Sequence, residues 1–170
     1  MHADLSPLIT ATATWLTRAY PPAGGAMSSA LCDAQARQAV TAAALLRYPT
    51  PMDASLVAMA GPGGSARLDL LSNADRRTPV LPEQHAWRTW VDEVVASWAA
   101  CLLSSAELAS ATVAGLADGA SGAYRRLVSP DERDRQAAAL LRHPDLLAPV
   151  AALHHGLLRA RLGLPVPDMA

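Results

Sequence analysis

The spacing of apolar residues is the feature that most restricts how this chain can fold. Wherever the sequence shows a strong periodicity, apolar side chains recur every three to four residues, as on one face of an α-helix. No run of useful length alternates between apolar and polar residues, as a half-buried strand would. The sequence therefore predicts an all-α fold, an irregular bundle of about seven to nine helices in a single domain over residues 1–170.

Glycine and proline interrupt the helical pattern and divide it into segments. We expect flexible links near residues 21–27, 61–64 and 73–81. Helices are expected over residues 6–20, 28–48, 53–60, 65–73, 82–102, 104–118, 121–128, 129–142 and 145–163. The spacing of Ser104 with Glu107, and of Ser129 with Glu132, predicts a capping box at the start of two of these helices.

The helix expected to begin at Pro82 has the clearest amphipathic pattern. At 100° per residue its apolar side chains fall on one stripe about 120° wide, and four polar side chains fall opposite. The stripe contains Trp87, Trp90, Val91, Val94, Trp98, Cys101 and Leu102, and the polar face contains Arg88, Thr89, Asp92 and Glu93. This pattern predicts a core helix whose tryptophans pack inside the domain.

Charge and cysteine content exclude several classes of protein. Fourteen basic and fifteen acidic side chains give a net charge of -1, so the domain lacks the basic surface of a nucleic-acid-binding protein. Charged residues make up only 17% of the chain, below the usual quarter, which favours contacts with other proteins. Cys32 and Cys101 form no CxxC motif, so we expect a reducing cytoplasm. The longest uncharged apolar stretch, residues 94–103, is half the length of a membrane span.

The histidines and glycine-rich segments show no spacing that indicates a catalytic, cofactor or metal site. His154 and His155 are adjacent on a helix, so their side chains diverge by about 100°. No HxxxH or HExxH pair is present. The glycine-rich segments at 21–25 and 61–64 lack the GK[ST] ending of a phosphate-binding loop. We therefore expect no catalytic residue, cofactor or metal, although a site assembled in the fold from His85, His143 and His154 stays open.

Two segments resemble the SctK family, the accessory subunits of the type III secretion sorting platform. They read LLRYPTPMDASLVAMAGPGGSARLDLL at 45–71 and VVASWAACLLSSAELASATVAGLADGASGAYRRLV at 94–128. The shared pattern is an apolar helix, a short polar link, an xAEL helix start and a second helix broken by glycine. The resemblance implies a bacterial cytoplasmic adaptor that bridges the inner-membrane ring of the injectisome to the pods below the export gate. It carries no functional residue to this chain.

These observations predict a non-catalytic helical adaptor or scaffold subunit of a larger cytoplasmic assembly. Its expected partners are other protein subunits, with no nucleic acid and no membrane span. Any contact with a membrane is expected to run through a membrane-ring partner. The alternative is a small all-α enzyme or ligand-binding bundle that uses histidines around a pocket beside Trp87 or Trp98.

Overall fold

A computed structural model describes residues 4–72, 82–116 and 121–167, and it confirms the predicted all-α fold. These residues form ten α-helices and two 3₁₀ helices, and no β-strand occurs among them. The α-helices are α1 (Ser6–Ala19), α2 (Ala26–Arg47), α3 (Pro51–Ala60), α4 (Ala66–Ser72), α5 (Glu93–Ser104), α6 (Ala106–Gly115), α7 (Arg125–Val128), α8 (Glu132–Ala137), α9 (Pro144–Ala152) and α10 (His155–Arg161). The 3₁₀ helices are Pro82–Trp90 and Ser121–Tyr124.

Helix α5 lies at the centre of the fold and packs against α2 on one side and α9 on another. Every residue from Val95 to Leu103 is buried, so the helix has no solvent-exposed face along most of its length. The face of α2 that meets the core is built of small side chains, which allow helices to approach closely. Buried residues from every α-helix except α8 form one hydrophobic cluster around this centre.

The segment expected to be one helix from Pro82 is two helices, so that prediction is wrong. A 3₁₀ helix ends at Trp90, and α5 begins at Glu93. Asp92 lies between them in an extended conformation, and its Oδ1 accepts a hydrogen bond from Val95 N at 3.0 Å. Aspartate at an N-cap satisfies one of the free N–H groups at the start of a helix, so the break is stabilised locally.

Both predicted capping boxes are displaced from their expected residues. Ser104 lies in the last turn of α5 and donates to Ala100 O at 2.8 Å, so the cap of α6 is Ser105 instead. Helix α8 begins with a capping box between Asp131 and Asp134, in place of the expected pair at 129 and 132. Each pattern predicted the correct chain region for a helix start but the wrong capping residue.

The links differ from their predicted extents. Helix α2 already begins at Ala26, so the expected link at 21–27 is shorter. The link at 61–64 is held in place because Gly64 N donates to Val91 O at 3.1 Å. Gly61, Gly63 and Gly64 have positive φ angles, which suit glycine in such a tight connection. The predicted link at 73–81 lies outside the described residues.

The helix expected over residues 145–163 is divided into α9 and α10 by contacts with α5. His154 N donates to Ser97 Oγ at 3.0 Å, and Trp98 Nε1 donates to His154 O at 3.2 Å. Ser97 Oγ also donates to Ala151 O at 3.1 Å. The two bonds with Ser97 pair His154 N and Ala151 O at the interruption, so the break is stabilised at this point.

Within the described part of the chain, no helix alone has the length and apolarity of a membrane span. Helices α5 and α6 reach that threshold only when they are taken together, and they bend by 119° at their junction.

Candidate interaction surface

Helix α3 begins with a complete set of local signals. Thr50 is the N-cap, and its Oγ1 accepts from Asp53 N at 3.2 Å, while Asp53 Oδ2 accepts from Thr50 N at 3.1 Å. This is a reciprocal capping box, and Pro51 occupies the first helical position that proline favours. The helix ends at Gly61, whose φ of 77° stops the helical path. The helix therefore begins two residues before the start expected at residue 53, and it ends where expected.

The composition of α3 is apolar on two opposite faces. Ala54 and Val57 are buried against the domain, with Val57 in the main hydrophobic cluster. Met52, Leu56 and Met59 are 69%, 53% and 77% exposed. Their spacing of four and three residues places them within about 60° of one another and roughly opposite the buried pair. A helix that is apolar all round is normally buried, yet α3 leaves this whole face in water.

Two hollows flank the exposed face of α3. One has a volume of about 260 Å³ and lies beside Leu56, with Tyr48 and Asp53 in its wall. The other, of about 570 Å³, lies between Met59, the glycine loop at 61–64 and Trp90. The exposed face is therefore a ridge between two depressions, a shape into which side chains of a partner can interlock. We call Met52, Leu56 and Met59 the methionine ridge.

No other helix among the described residues exposes three large apolar side chains. Helix α4 exposes two, and the rest are single residues, either on separate helices, such as Met27 on α2 and Leu157 on α10, or between and after the helices, such as Leu140 and Val166. Isolated exposed apolar residues are ordinary on soluble proteins, whereas a contiguous patch marks an interaction site. The only charged residue of α3 is Asp53, which is engaged in the capping box, so the ridge carries no charge.

His154 belongs to a polar cluster on the surface, at the start of α5. Its Nε2 lies 2.8 Å from Glu93 Oε1, and Arg67 donates to both oxygens of the same carboxylate. Hydrogen bonding from Arg67, supported by His154, holds the pKa of Glu93 below its ordinary value. Glu93, expected on a solvated face, thus connects α4 and α5 with the turn between α9 and α10.

The structure does not bring the proposed histidine site together. His143 is exposed at the start of α9 and His154 follows its end, so a nine-residue helix of about 13 Å separates them. The side chain of His85 lies outside the described residues. Among the described residues, no group of three or more His, Cys, Asp or Glu side chains is arranged to hold a metal ion.

Arg88, which was expected on a polar face, forms a mostly buried ion pair with Asp69. Arg88 Nη1 donates to Asp69 Oδ1 at 2.6 Å, and these side chains are 14% and 10% exposed. Trp15 Nε1 and Ser65 Oγ also donate to this carboxylate, each at 2.8 Å. The cluster connects α1, α4 and the 3₁₀ helix, so its role in the fold is to fix these elements. The expectation that Arg88 faces water is wrong.

A second buried polar network centres on Asp134, whose side chain is fully buried. Burial favours a higher pKa, but hydrogen bonds from Asp131 N and Arg126 outweigh it and hold the pKa below its ordinary value. Gln35 joins the network by donating to Asp134 O at 2.7 Å and accepting from Arg142 at 2.6 Å. Arg142 in turn donates to three backbone carbonyls, those of Leu103, Arg126 and Leu127. These bonds satisfy helix ends in the core and leave no group poised for chemistry.

The two cysteines are buried, and burial raises the pKa of their thiols. The pKa of Cys32 rises to about 11 and that of Cys101 to about 12. Because the thiolate is the reactive form, neither side chain is suited to act as a nucleophile at neutral pH. The prediction that Cys101 is a buried small hydrophobe is confirmed.

The methionine ridge was not predicted from the sequence. Its signal was present, since Met52, Leu56 and Met59 have helical spacing and lie between a clear cap and a glycine stop. That spacing is also the signature of a core-facing stripe, and only the fold shows which of two apolar faces is covered.

Comparison of the chain with protein-family models, with curated proteins and with solved structures gives no match. A functional assignment therefore depends on the chemistry of the surfaces described above.

Proposed function

We propose that this protein is a non-catalytic helical adaptor, a scaffold subunit of a larger cytoplasmic assembly, and that α3 is its contact with a partner. The observation that supports this function is the methionine ridge, Met52, Leu56 and Met59, on a helix whose opposite face is buried. Burying one large apolar side chain contributes about 1.5 to 3 kcal/mol. The ridge therefore offers a partner several kcal/mol of binding free energy.

The chemistry of the ridge favours an amphipathic helix as the partner. Apolar positions at i, i+4 and i+7 form the kind of stripe through which one helix packs against another. The hollows beside Leu56 and Met59 are placed to receive side chains of such a helix. Methionine side chains are flexible and polarisable, so they adapt to the shape of an apolar partner.

The resemblance to the SctK family gives this proposal a specific form. The first resembling segment, residues 45–71, contains all of α3 and the glycine loop that follows it. In that form the protein bridges an inner-membrane ring to the pods of a type III secretion sorting platform. The partners are then the cytoplasmic part of a ring protein and a pod subunit, encoded by genes near this one.

Site-specific photo-crosslinking in the native cells tests the adaptor function. A benzophenone amino acid is placed at Met59, and in a matched control at Met27, an exposed methionine on α2 outside the ridge. We expect position 59 to capture one defined protein that position 27 does not capture. Ring or pod subunits as the captured protein would support the secretion role.

Reconstitution with that purified partner measures the contribution of the ridge. Leu56→Glu combined with Met59→Glu is expected to weaken binding by at least about tenfold, because two charges replace apolar contacts. Met27→Glu is expected to bind as the wild type does. Equal binding by all three proteins would contradict the proposal, as would capture by position 59 of only a second copy of this chain.

A further inference from the structure

A groove of about 660 Å³ lies on a different part of the domain from α3. It runs between the junction of α5 with α6 on one side and α9 with α10 on the other, and the segment after α10 forms a further wall through Val166 and Pro167. This volume falls within the range of about 300 to 1,000 Å³ typical of small-molecule sites. The groove shares no residue with the methionine ridge or its two hollows.

The floor of the groove is apolar. Cys101 and Leu108 contribute buried side chains from α5 and α6, and Ala148, Ala152 and Gly156 contribute small residues from α9 and α10. The small residues leave space that a larger side chain at the same positions would fill. An apolar ligand body therefore finds both room and a surface to bury there.

One side of the groove carries two basic side chains, His155 and Arg159. They are four residues apart on α10, so they stand on the same face of the helix about one turn apart. Arg159 Nε donates to Pro165 O at 2.6 Å, which fixes the guanidinium at the groove. Its Nη atoms, and the ring of His155, form no hydrogen bond with any described residue.

No carboxylate is found among the described residues that line the groove. The N-terminal end of α6 also opens on it, with Ser105 as its cap, and the helix dipole adds partial positive charge there. The lining of the groove therefore carries positive charge without a neighbouring carboxylate, which favours binding of an anion. A guanidinium with free Nη groups is the side chain best suited to bind a carboxylate.

We propose that this groove binds a small amphipathic anion, a carboxylate on a short apolar body. The carboxylate lies against Arg159 and His155, and the apolar body lies over Cys101, Leu108 and Ala152. This site is independent of the adaptor function, because it uses different helices. Its failure in a binding test leaves the role of the methionine ridge untouched, and the reverse also holds.

Three probes, octanoate, octanol and acetate, distinguish binding of the carboxylate from binding of the apolar body. Each is titrated into the full chain, and amide chemical shifts are followed by NMR. We expect saturable binding of octanoate, with shifts at Leu108 and Gly156. Octanol lacks the charge and acetate lacks the apolar body, so each is expected to bind at least about tenfold more weakly.

Variants locate the site. Arg159→Gln is expected to weaken octanoate binding about tenfold, whereas Arg133→Gln, an exposed arginine on α8, leaves it unchanged. Ala148→Leu fills the groove and is expected to abolish octanoate binding, whereas Ala114→Leu, exposed on α6 outside the groove, is expected to bind normally. Octanoate binding that survives both groove variants overturns the proposal. Octanol binding as tight as octanoate, or the absence of saturation, overturns it as well.

Discussion

Helices α5 and α3 are both apolar around most of their circumference, yet the fold treats them in opposite ways. Helix α5 is covered by α2, α6 and α9, and its residues from Val95 to Leu103 are buried. In α3 only Ala54 and Val57 are buried, and Met52, Leu56 and Met59 are exposed to water. Apolar composition therefore identifies a helix face that is stabilised by burial. The position of the helix in the fold decides whether the rest of the domain or a partner protein buries that face.

Trp98→Ala should have the largest effect, because it removes the largest buried side chain of α5. The side chain is 1% exposed, and Nε1 donates to His154 O at 3.2 Å. We expect the free energy of unfolding to fall by about 3 to 5 kcal/mol in denaturant titrations. Trp98→Phe keeps most of the ring and should lose less. A neutral Trp98→Ala would mean that α5 is not the core helix and would remove the contrast with α3.

Arg88→Ala tests the segment that leads into α5. The variant leaves the Asp69 carboxylate, itself mostly buried, without its cation, so we expect a loss of about 2 to 3 kcal/mol in the free energy of unfolding. Arg37→Ala is the matched control, since its ion pair with Asp33 is exposed and should contribute less than about 0.5 kcal/mol. Equal effects of the two substitutions would mean that Arg88 is solvated, as its position in the sequence suggested.

The first turn of α5 should make stability depend on pH through Glu93. Its pKa in the folded protein is lowered from 4.5, first by hydrogen bonding to Arg67 and further by His154. A lowered pKa contributes stability that is present above pH 4.5 and is lost as the pH falls through the folded value. In Glu93→Gln the free energy of unfolding should therefore fall less steeply as the pH is lowered. The expected change in the free energy of unfolding is smaller than for Arg88→Ala. Identical slopes for the variant and the wild type between about pH 5 and 3 would refute the role of Glu93.

Met59→Glu should change the stability of the isolated protein least, by less than about 0.5 kcal/mol, because the side chain is 77% exposed. Val57→Ala on the opposite face of α3 should destabilise by about 1 kcal/mol, since it removes methyl groups from the core. Chemical denaturation at two protein concentrations measures both. A large, concentration-dependent loss in Met59→Glu would show that the ridge is already covered by a second copy of the chain.

Local signals predicted the end of α3 but not its start. Gly61 ends the helix as expected, whereas the start expected at residue 53 is two residues late, because Thr50 caps the helix and Pro51 is its first residue. By contrast, the division of α9 from α10 depends on Ser97 and Trp98, more than fifty residues away in the sequence. Periodicity continues through such a break, so the sequence predicted one helix where these distant hydrogen bonds produce two.

The candidate sites show the same limit. Helical spacing at 52, 56 and 59 is visible in the sequence, but the same spacing describes a core stripe, and burial separates the two interpretations. His155 and Arg159 are four residues apart in the sequence. They form a candidate anion site only because α5, α6 and α9 build a groove beside them. Nothing in the sequence around His155 indicates that groove, so the sequence predicted no site there.

The sequence by itself determined the helical class of this protein, because the spacing of its apolar residues satisfies one backbone geometry and its caps act within a single turn. The tertiary structure alone decided which apolar faces are buried, where Arg88 and Glu93 find their partners, and which side chains line the groove. The physical reason is that a side chain's exposure, and the partners of a buried charge, depend on elements distant in the sequence, and no local spacing encodes which of those elements will pack against it.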